Sequence, residues 1–241
     1  MKENSTPIFL TREQGTYQAF FAWTDGQSYS DLLDTKKLFL HPHELTYFES
    51  LKFEKRQRDY LHGRYAAKCA LSQILKESQL AKIGLVAGVF NQPIVQYKTL
   101  EAIGVSISHS DDMACALAYP EIHPLTIDIE KIDPKKTKTI KTQLVPHEIK
   151  NLALQADKSI QSTLLWTAKE ALSKALKCGM MCPFELFETK NVDMYNGCYR
   201  GEFKNFGQYK FNAWIWNDFV ICIALPKKTE MKFATNSLFA V

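Results

Sequence analysis

An internal repeat constrains the fold of this 241-residue chain more than any other feature of its sequence. PHEL at 42–45 recurs as PHEI at 146–149, each with proline where the first turn of a helix tolerates it. A long amphipathic helix pattern follows each copy, at 58–71 and at 163–176. Such helices match by chance in many proteins, but the shared Pro-His-Glu before both favours a duplicated unit. The two helices align with three matched pairs: Arg64 with Lys169, Ala70 with Ala175, and Leu71 with Leu176.

Strand-like runs follow both helices. The first half contains four of them, at 82–90, 104–110, 113–119 and 124–132. Their short polar connections predict an antiparallel meander. Alternating aromatic residues at 197–207 and 208–225 predict two or three more strands. We therefore predict an α+β fold of two similar, pseudo-duplicated lobes, residues 1–120 and 121–241, each a long helix packed on a small antiparallel sheet.

Composition limits the classes of function. Hydrophobic residues make up 46% and charged residues 23% of the chain, as in ordinary globular proteins. A net charge of +4 is too small to predict nucleic-acid binding. There is no apolar run of membrane-spanning length, and the N-terminal segment lacks the apolar core of a signal peptide. We expect a cytoplasmic monomer without a nucleic-acid or membrane partner. In an unexported protein, its six scattered cysteines are expected to be reduced, buried thiols. No second Cys/His pair completes a zinc site around Cys178 and Cys182.

Two carboxylates share one face of the run TIDIEK at 126–131. Asp128 and Glu130 alternate with Ile127 and Ile129, so the acidic side chains point the same way. Carboxylates at this spacing repel each other unless they share a cation, and Mg²⁺ prefers carboxylates together with water and substrate phosphates. A solvent-facing edge strand has the same pattern, so a metal site and an ordinary surface both remain open.

The segment WTAKEALSK at 166–174 concentrates charge on a helix. Its apolar stripe consists of four residues: Leu165, Ala168, Leu172 and Ala175. The remaining side chains are expected to face water or a cleft: Trp166, Lys169, Glu170, Ser173 and Lys174. Taken alone, Glu170 and Lys174 fit an i,i+4 surface pair, which contributes about 0.2–0.5 kcal/mol.

His109 ends the strand-like run SISHS at 106–110, just before a polar turn at Asp111 and Asp112. A histidine at this position can donate to a phosphate, or it can form only local hydrogen bonds in the turn. The chain contains no GxxxxGK phosphate loop and no GxSxG nucleophile elbow.

In order and spacing, SISHS, TIDIEK and WTAKEALSK resemble the three motifs of the Sfp-type 4′-phosphopantetheinyl transferases. In that family an SHS segment precedes a DxE strand, and a KExxxK helix follows. LHGR at 61–64 extends the resemblance over residues 42–185. The family transfers the phosphopantetheine arm of coenzyme A to a serine of an apo acyl or peptidyl carrier protein and releases 3′,5′-ADP.

The resemblance implies a role for each matching residue. Asp128, Glu130 and Glu170 would hold Mg²⁺ on the coenzyme A pyrophosphate. Lys169 and Lys174 would contact its phosphates. Glu170, with Lys169, would be catalytic, and Glu170 or a water it orients would assist deprotonation of the carrier serine. Four further residues would bind coenzyme A: Arg64, Gln92, and, at the nucleotide end, Ser108 and His109. We expect the acidic strand and the KExxxK helix to come from different lobes, so that the site lies between them.

Three departures from the family pattern concern detail rather than the metal ligands. Thr126 replaces the usual glycine before the acidic strand. Asn91-Gln92-Pro93 replaces a Gly-Lys-Pro turn and so lacks a lysine that contacts coenzyme A. LVPHE at 144–148 stands for the family's F(S/T)xxE segment.

Two other functions fit the same residues less well. A Mg²⁺-dependent nuclease or phosphodiesterase could use Asp128 and Glu130, but the basic, aromatic-rich surface expected for nucleic acid is missing. A non-catalytic binding module would not need the intact acids. Carrier proteins are typically acidic, so exposed lysines could steer docking, although a charged loop is more often simply solvated: Lys135, Lys136 and Lys138.

Overall fold

The computed structural model describes residues 5–24, 27–99, 101–151 and 157–234. The chain divides into two compact units. Unit 1 comprises the residues up to Pro124 together with a returning segment from Glu230, and unit 2 comprises Leu125–Thr229. The predicted lobes, 1–120 and 121–241, place residues 121–124 and the returning segment in the second lobe, whereas both belong to unit 1.

The described residues form twelve strands and six α-helices. The strands are β1 (Ser5–Arg12), β2 (Gly15–Trp23), β3 (Gly84–Ala87), β4 (Pro93–Gln96), β5 (Ile103–Ser110), β6 (Met113–Pro120), β7 (Thr126–Lys131), β8 (Thr189–Tyr195), β9 (Cys198–Phe203), β10 (Tyr209–Trp216), β11 (Phe219–Pro226) and β12 (Glu230–Phe233). The helices are α1 (Tyr29–Phe39), α2 (Pro42–Ser50), α3 (Glu54–Leu75), α4 (Thr137–Lys141), α5 (Pro146–Asn151) and α6 (Lys158–Ala175). Within these residues, no helix is both long enough and apolar enough to cross a membrane.

Unit 1 packs α3 against a five-stranded antiparallel sheet of order β12-β1-β2-β6-β5, beside a β3–β4 hairpin. Small side chains on α3, among them Ala66, Ala67 and Ala70, are buried against alanines of β6. Such small residues let the helix backbone approach the sheet closely. The sequence prediction missed β1, β2, β4 and β12, although β1 and β2 alternate between buried and accessible residues.

Unit 2 packs α6 against a second antiparallel sheet of order β7-β11-β10-β9-β8. Leu164, Leu165, Ala168 and Leu172 of α6 are buried in its core. The predicted meander is right for β5 and β6, which pair as a hairpin, but wrong for β7. That strand joins the other sheet through β11, with Ile127 opposite Ile223. Short connections favour pairing between neighbours, and here the long-range pairing prevails.

Both units follow the same order: a short helix that begins with proline, a long helix, and antiparallel strands. This confirms the predicted α+β architecture of two similar lobes. The predicted alignment of the long helices is wrong by about one turn, because Lys68, rather than Arg64, has the environment of Lys169. Each lysine is fully buried, and each ammonium bonds the glutamate of the Pro-His-Glu segment and a carbonyl 15 residues further on. The corrected register pairs AKCALS at 67–72 with AKEALS at 168–173.

Candidate functional site

Three carboxylates of unit 2 form what we call the acidic cluster: Asp128, Glu130 and Glu170. Asp128 and Glu130 lie on one face of β7, as predicted from their alternation, and Glu170 lies on α6, which packs against that strand. Asp128 is buried and the other two are half-buried, so Asp128 and Glu130 do not belong to an ordinary solvent-facing surface. The expectation that strand and helix come from different lobes is wrong, because β7 and α6 both belong to unit 2.

The members of the acidic cluster act on each other electrostatically. Burial, and then the charge of Asp128, raises the pKa of Glu170 to about 7, with Glu130 adding to the effect and Lys174 opposing it. Burial and Asp128 also raise the pKa of Glu130, which Lys136 and a hydrogen bond from Trp166 counteract. Because uncompensated negative charge causes both shifts in part, a bound cation would relieve them.

Lys174 ties the acidic cluster to the helix. Its ammonium donates to Asp128 Oδ1 at 2.8 Å and to the Ile127 carbonyl at 3.0 Å. Thr126, which stands where glycine was expected, donates its hydroxyl to the Ala171 carbonyl at 2.7 Å. Threonine at this position therefore adds a hydrogen bond between β7 and α6.

Lys169 does not have the predicted exposure. Its side chain is fully buried, and its ammonium donates to Glu148 Oε2 at 2.8 Å and to the Phe184 carbonyl at 3.1 Å. Ser173 is fully buried as well. Two sides of α6 are covered, whereas the sequence analysis placed only one apolar stripe against the core. The predicted phosphate contact and catalytic role of Lys169 are therefore corrected, because its ammonium is buried and paired with Glu148.

Unit 1 contains a cavity of about 430 Å³, a size typical of small-molecule sites. Helix α3 provides much of the wall, and the end of α2, the β3–β4 hairpin and β5 contribute the rest. The lining residues are Tyr47, Leu51, Arg56, Asp59, Tyr60, Gly63, Arg64, Val86, Ala87, Asn91, Pro93, Ile107 and His109. Cationic donors beside two tyrosine rings suit a ligand that combines phosphate with a flat ring.

Arg64 and His109, both predicted from the sequence, line this cavity. The Arg64 guanidinium lies 4.7 Å from the centroid of the Tyr60 ring, and its Nε lies 3.0 Å from Glu44 Oε1. His109 lies near the end of β5, just before the turn at Asp111 and Asp112, as expected, with Nδ1 4.0 Å from Asp59 Oδ1.

Ser108 and Gln92 are placed differently from what was predicted. Ser108 is buried and points to the opposite face of β5 from His109, since neighbours on a strand alternate. Gln92 folds back on its own turn, where its Oε1 accepts from the Phe90 amide at 2.9 Å and its amide lies against Gly88. Asn91 and Pro93 line the cavity in its place. Neither predicted side chain is among the residues that line the cavity.

Sequence reasoning missed four polar wall residues: Tyr47, Arg56, Asp59 and Tyr60. None belongs to a motif. On α3, however, Arg56, Asp59, Tyr60 and Gly63 recur at helical spacing on the face that presents Arg64. This helical spacing in the sequence indicates that these residues share one helix face with Arg64.

The acidic cluster fits a magnesium ion by its chemistry, since carboxylates are ligands that Mg²⁺ prefers. Over the part of the chain that the structure describes, no three His, Cys, Asp or Glu side chains are arranged to hold a metal ion as they stand. Mg²⁺ is commonly bound through one or two carboxylates with water and substrate phosphates, so a complete protein cage is not required.

Comparison with protein families gives two adjacent matches. Residues 124–224 match the 4′-phosphopantetheinyl transferase superfamily, and residues 50–119 match the 4′-phosphopantetheinyl transferase N-terminal domain. Together these segments cover most of the chain and contain both the acidic cluster and most of the cavity wall. A search of curated proteins gave no match.

Several solved structures are similar over about half of the chain. A holo-(acyl-carrier-protein) synthase from Bacillus anthracis in complex with CoA (3′,5′-ADP) is 23% identical, with a TM-score of 0.37 over 48% of this chain and 96% of that one. The Plasmodium yoelii holo-ACP-synthase is 19% identical, with a TM-score of 0.35 over 48% and 93%. The Neisseria meningitidis enzyme is 16% identical, with a TM-score of 0.32 over 50% and 98%. All three TM-scores are below 0.5, and we transfer no function from these structures.

Proposed function

The chain belongs to the 4′-phosphopantetheinyl transferase superfamily, and we propose that it transfers the 4′-phosphopantetheine arm of coenzyme A to a serine of an apo acyl or peptidyl carrier protein, with Mg²⁺ and with release of 3′,5′-ADP. The observation that supports this most is the acidic cluster with Lys174 beside it, inside the matched segment. Membership of the Sfp-type subfamily remains a prediction.

Asp128, Glu130 and Glu170 would hold the magnesium ion. When bound there, the ion supplies Lewis-acid stabilisation of charge on the pyrophosphate oxygens. Lys174 would contribute a second, fixed positive charge, because its bonds to Asp128 and the Ile127 carbonyl hold it beside the cluster. A charge held in place before the reaction need not reorganise as negative charge develops.

In the proposed reaction, the carrier serine oxygen attacks the β-phosphorus of coenzyme A. A new phosphoester bond forms to the serine, the bond to the bridging pyrophosphate oxygen breaks, and 3′,5′-ADP leaves with the electron pair. The serine proton goes to Glu170 or to a water that Glu170 orients.

The nucleotide end of coenzyme A would bind in the unit 1 cavity. Arg64 and His109 would donate to phosphate, and Arg56 offers a further cation. Tyr47 presents an exposed ring for the adenine base. Asn91 takes the place proposed for Gln92, whose amide is used within its turn.

The carrier protein would approach the exposed lysines around α4: Lys135, Lys136 and Lys138. Lys136 is close enough to the acidic cluster to affect the pKa of Glu130. An acidic carrier would therefore be steered toward the reacting groups, with a dependence on salt.

The direct test is to incubate the protein with coenzyme A, Mg²⁺ and purified apo carriers of the acyl, peptidyl and aryl types, and to measure the intact mass of each carrier. We expect at least one carrier to gain one phosphopantetheine group on its serine. If none does, while nucleotides are released from DNA or RNA, the protein is a nuclease and the proposal is wrong.

A further inference from the structure

A buried carboxylate lies behind the cavity wall of unit 1. Glu44 is 1% exposed, and its Oε2 accepts from the Lys68 ammonium at 2.6 Å and from the His41 amide at 2.8 Å. Lys68 is fully buried and also donates to the Ile83 carbonyl. The other oxygen, Oε1, lies 3.0 Å from Nε of Arg64. Glu44 thus connects the start of α2 to two cations of α3.

Unit 2 contains the same arrangement with one difference. Glu148 Oε2 accepts from Lys169 and from the Val145 amide at 2.7 Å, as Glu44 Oε2 does from Lys68 and His41. Glu148 Oε1, however, accepts from the amide and hydroxyl of Thr189, at 2.6 and 2.9 Å. In the corrected register, Arg64 corresponds to the buried Leu165. The second carboxylate oxygen therefore meets a β-strand in unit 2 and an arginine of the cavity wall in unit 1.

The charge count explains what the extra arginine does. Glu148 and Lys169 cancel each other, and their side chains are fully buried. Glu44 faces two cations, so Lys68 compensates the carboxylate and the charge of Arg64 is left for the cavity. A carboxylate paired with Arg64 alone would orient the guanidinium but would also neutralise it. With Lys68 present, Glu44 can orient Arg64 without cancelling its charge.

Arg64 has a restricted position. Glu44 Oε1 forms an ion pair with Nε on one side, without an aligned hydrogen bond, and the guanidinium lies over the Tyr60 ring on another. The side chain is 19% exposed, and what is exposed borders the cavity. A planar donor group held in this way can meet a phosphate with little loss of side-chain entropy.

We propose that Glu44, supported by Lys68, is a positioning residue for nucleotide binding: it holds Arg64 at the cavity wall so that the guanidinium meets a phosphate of coenzyme A. This rests on the proposed function, since it takes coenzyme A as the ligand of the cavity. Glu44 itself touches no reacting atom.

The test uses a double variant that removes the buried charges together, Glu44→Gln with Lys68→Met, because Glu44→Gln alone would leave the buried Lys68 without its carboxylate. We expect KM for coenzyme A to rise about tenfold while kcat stays within about twofold of wild type. The matched control is Glu148→Gln with Lys169→Met, which removes the equivalent pair of unit 2. Its KM for coenzyme A should stay within about twofold.

Thermal unfolding of both double variants shows whether the two lose comparable stability. A rise in KM confined to the Glu44 variant supports positioning. An unchanged KM in that variant, or an equal rise in both, would overturn the inference. If the Glu44 variant does not fold, Arg64→Lys replaces it, because it keeps the Glu44–Lys68 pair and the positive charge but loses the guanidinium. A tenfold rise in KM is again expected, and a wild-type KM contradicts the inference.

Calorimetric titration of 3′,5′-ADP separates this inference from the proposed function. If the wild type neither binds the nucleotide nor modifies any carrier, the proposed function fails. If the wild type binds it and both Arg64→Lys and the Glu44 double variant bind it equally well, the function stands and the positioning role fails.

Discussion

The two units have the same buried lysine–glutamate pair beneath their long helices, but they differ at the neighbouring positions. In the corrected register, Glu170 of unit 2 corresponds to Cys69 of unit 1, and Lys174 to Gln73. Burial raises the pKa of Cys69 to about 11, so that thiol stays neutral where Glu170 titrates. The comparison shows a shared scaffold in which a few substitutions separate a unit with carboxylates from a unit with an arginine-lined cavity.

The two units also differ in the number of cations that compensate the buried glutamate. Lys169 is the cation that pairs with Glu148, whereas Glu44 of unit 1 has both Lys68 and Arg64. One unit therefore has a simple pair and the other a carboxylate with a second cation. The predictions below test whether the two units respond to substitution as these environments require.

The largest expected effect comes from breaking the simple pair. Lys169→Met leaves Glu148 buried without its cation and should lower the free energy of unfolding by about 3–5 kcal/mol. Lys68→Met should lower the free energy of unfolding by at least about 1 kcal/mol less than Lys169→Met does, because Arg64 still compensates Glu44. Urea unfolding of the two variants measures the difference. Adding Glu148→Gln to Lys169→Met should recover most of the loss, and equal losses in the two single variants would show that the extra cation does not matter.

A smaller effect concerns the pH dependence of stability without metal. The folded pKa of Glu170, about 7, lies above its ordinary value of 4.5, so folding favours the protonated form. Its contribution is complete below pH 4.5 and is lost as the pH rises through about 7. In EDTA at pH 8, Glu170→Gln should therefore be more stable than wild type by about 1–3 kcal/mol, with little difference at pH 5.

The matched position in unit 1 provides the control for this titration. Because the Cys69 thiol stays neutral between pH 5 and 8, Cys69→Ala should change the free energy of unfolding by the same amount throughout that range. Chemical unfolding at each pH measures both variants. A pH-independent effect of Glu170→Gln would mean that Glu170 is already ionised at no cost in the folded protein.

The smallest effect is expected at the exposed lysines of unit 2. Replacing Lys135, Lys136 and Lys138 with glutamate should raise KM for an acidic carrier a few-fold, roughly threefold to tenfold, and the difference should shrink as salt is added. The control is the variant that replaces Lys135 and Lys138 alone, because Lys136 also acts on Glu130 of the acidic cluster. Its KM for coenzyme A should stay at the wild-type value. A carrier KM that is unchanged at low salt would remove these lysines from the docking surface.

Much of the fold followed from local patterns in the sequence. The apolar stripe predicted α6, and alternation put Asp128 and Glu130 on one face of β7, because both depend only on residues close in sequence. The pairing of β7 with β11 could not be predicted in this way, since it joins residues nearly a hundred positions apart and competes with a short connection to β6.

The errors in the site have two physical causes. Lysine is most often a surface residue, yet Lys169 is buried because Glu148 and a carbonyl compensate its ammonium, and no local pattern shows that partner. Ser108 is a different case, because strand alternation alone separates its side chain from His109. The match of AKCALS with AKEALS was likewise present in the sequence and would have paired Lys68 with Lys169 directly.

The most direct test of the central claim compares Glu170→Ala with Cys69→Ala, its counterpart in unit 1, in transfer to a carrier that the wild type modifies. The rate of carrier mass gain is measured with coenzyme A and Mg²⁺, and circular dichroism checks that both variants are folded. We predict that Glu170→Ala loses transfer by about a thousandfold, while Cys69→Ala stays within about threefold of wild type. Wild-type turnover in a folded Glu170→Ala protein would contradict the assignment of the acidic cluster to the reaction.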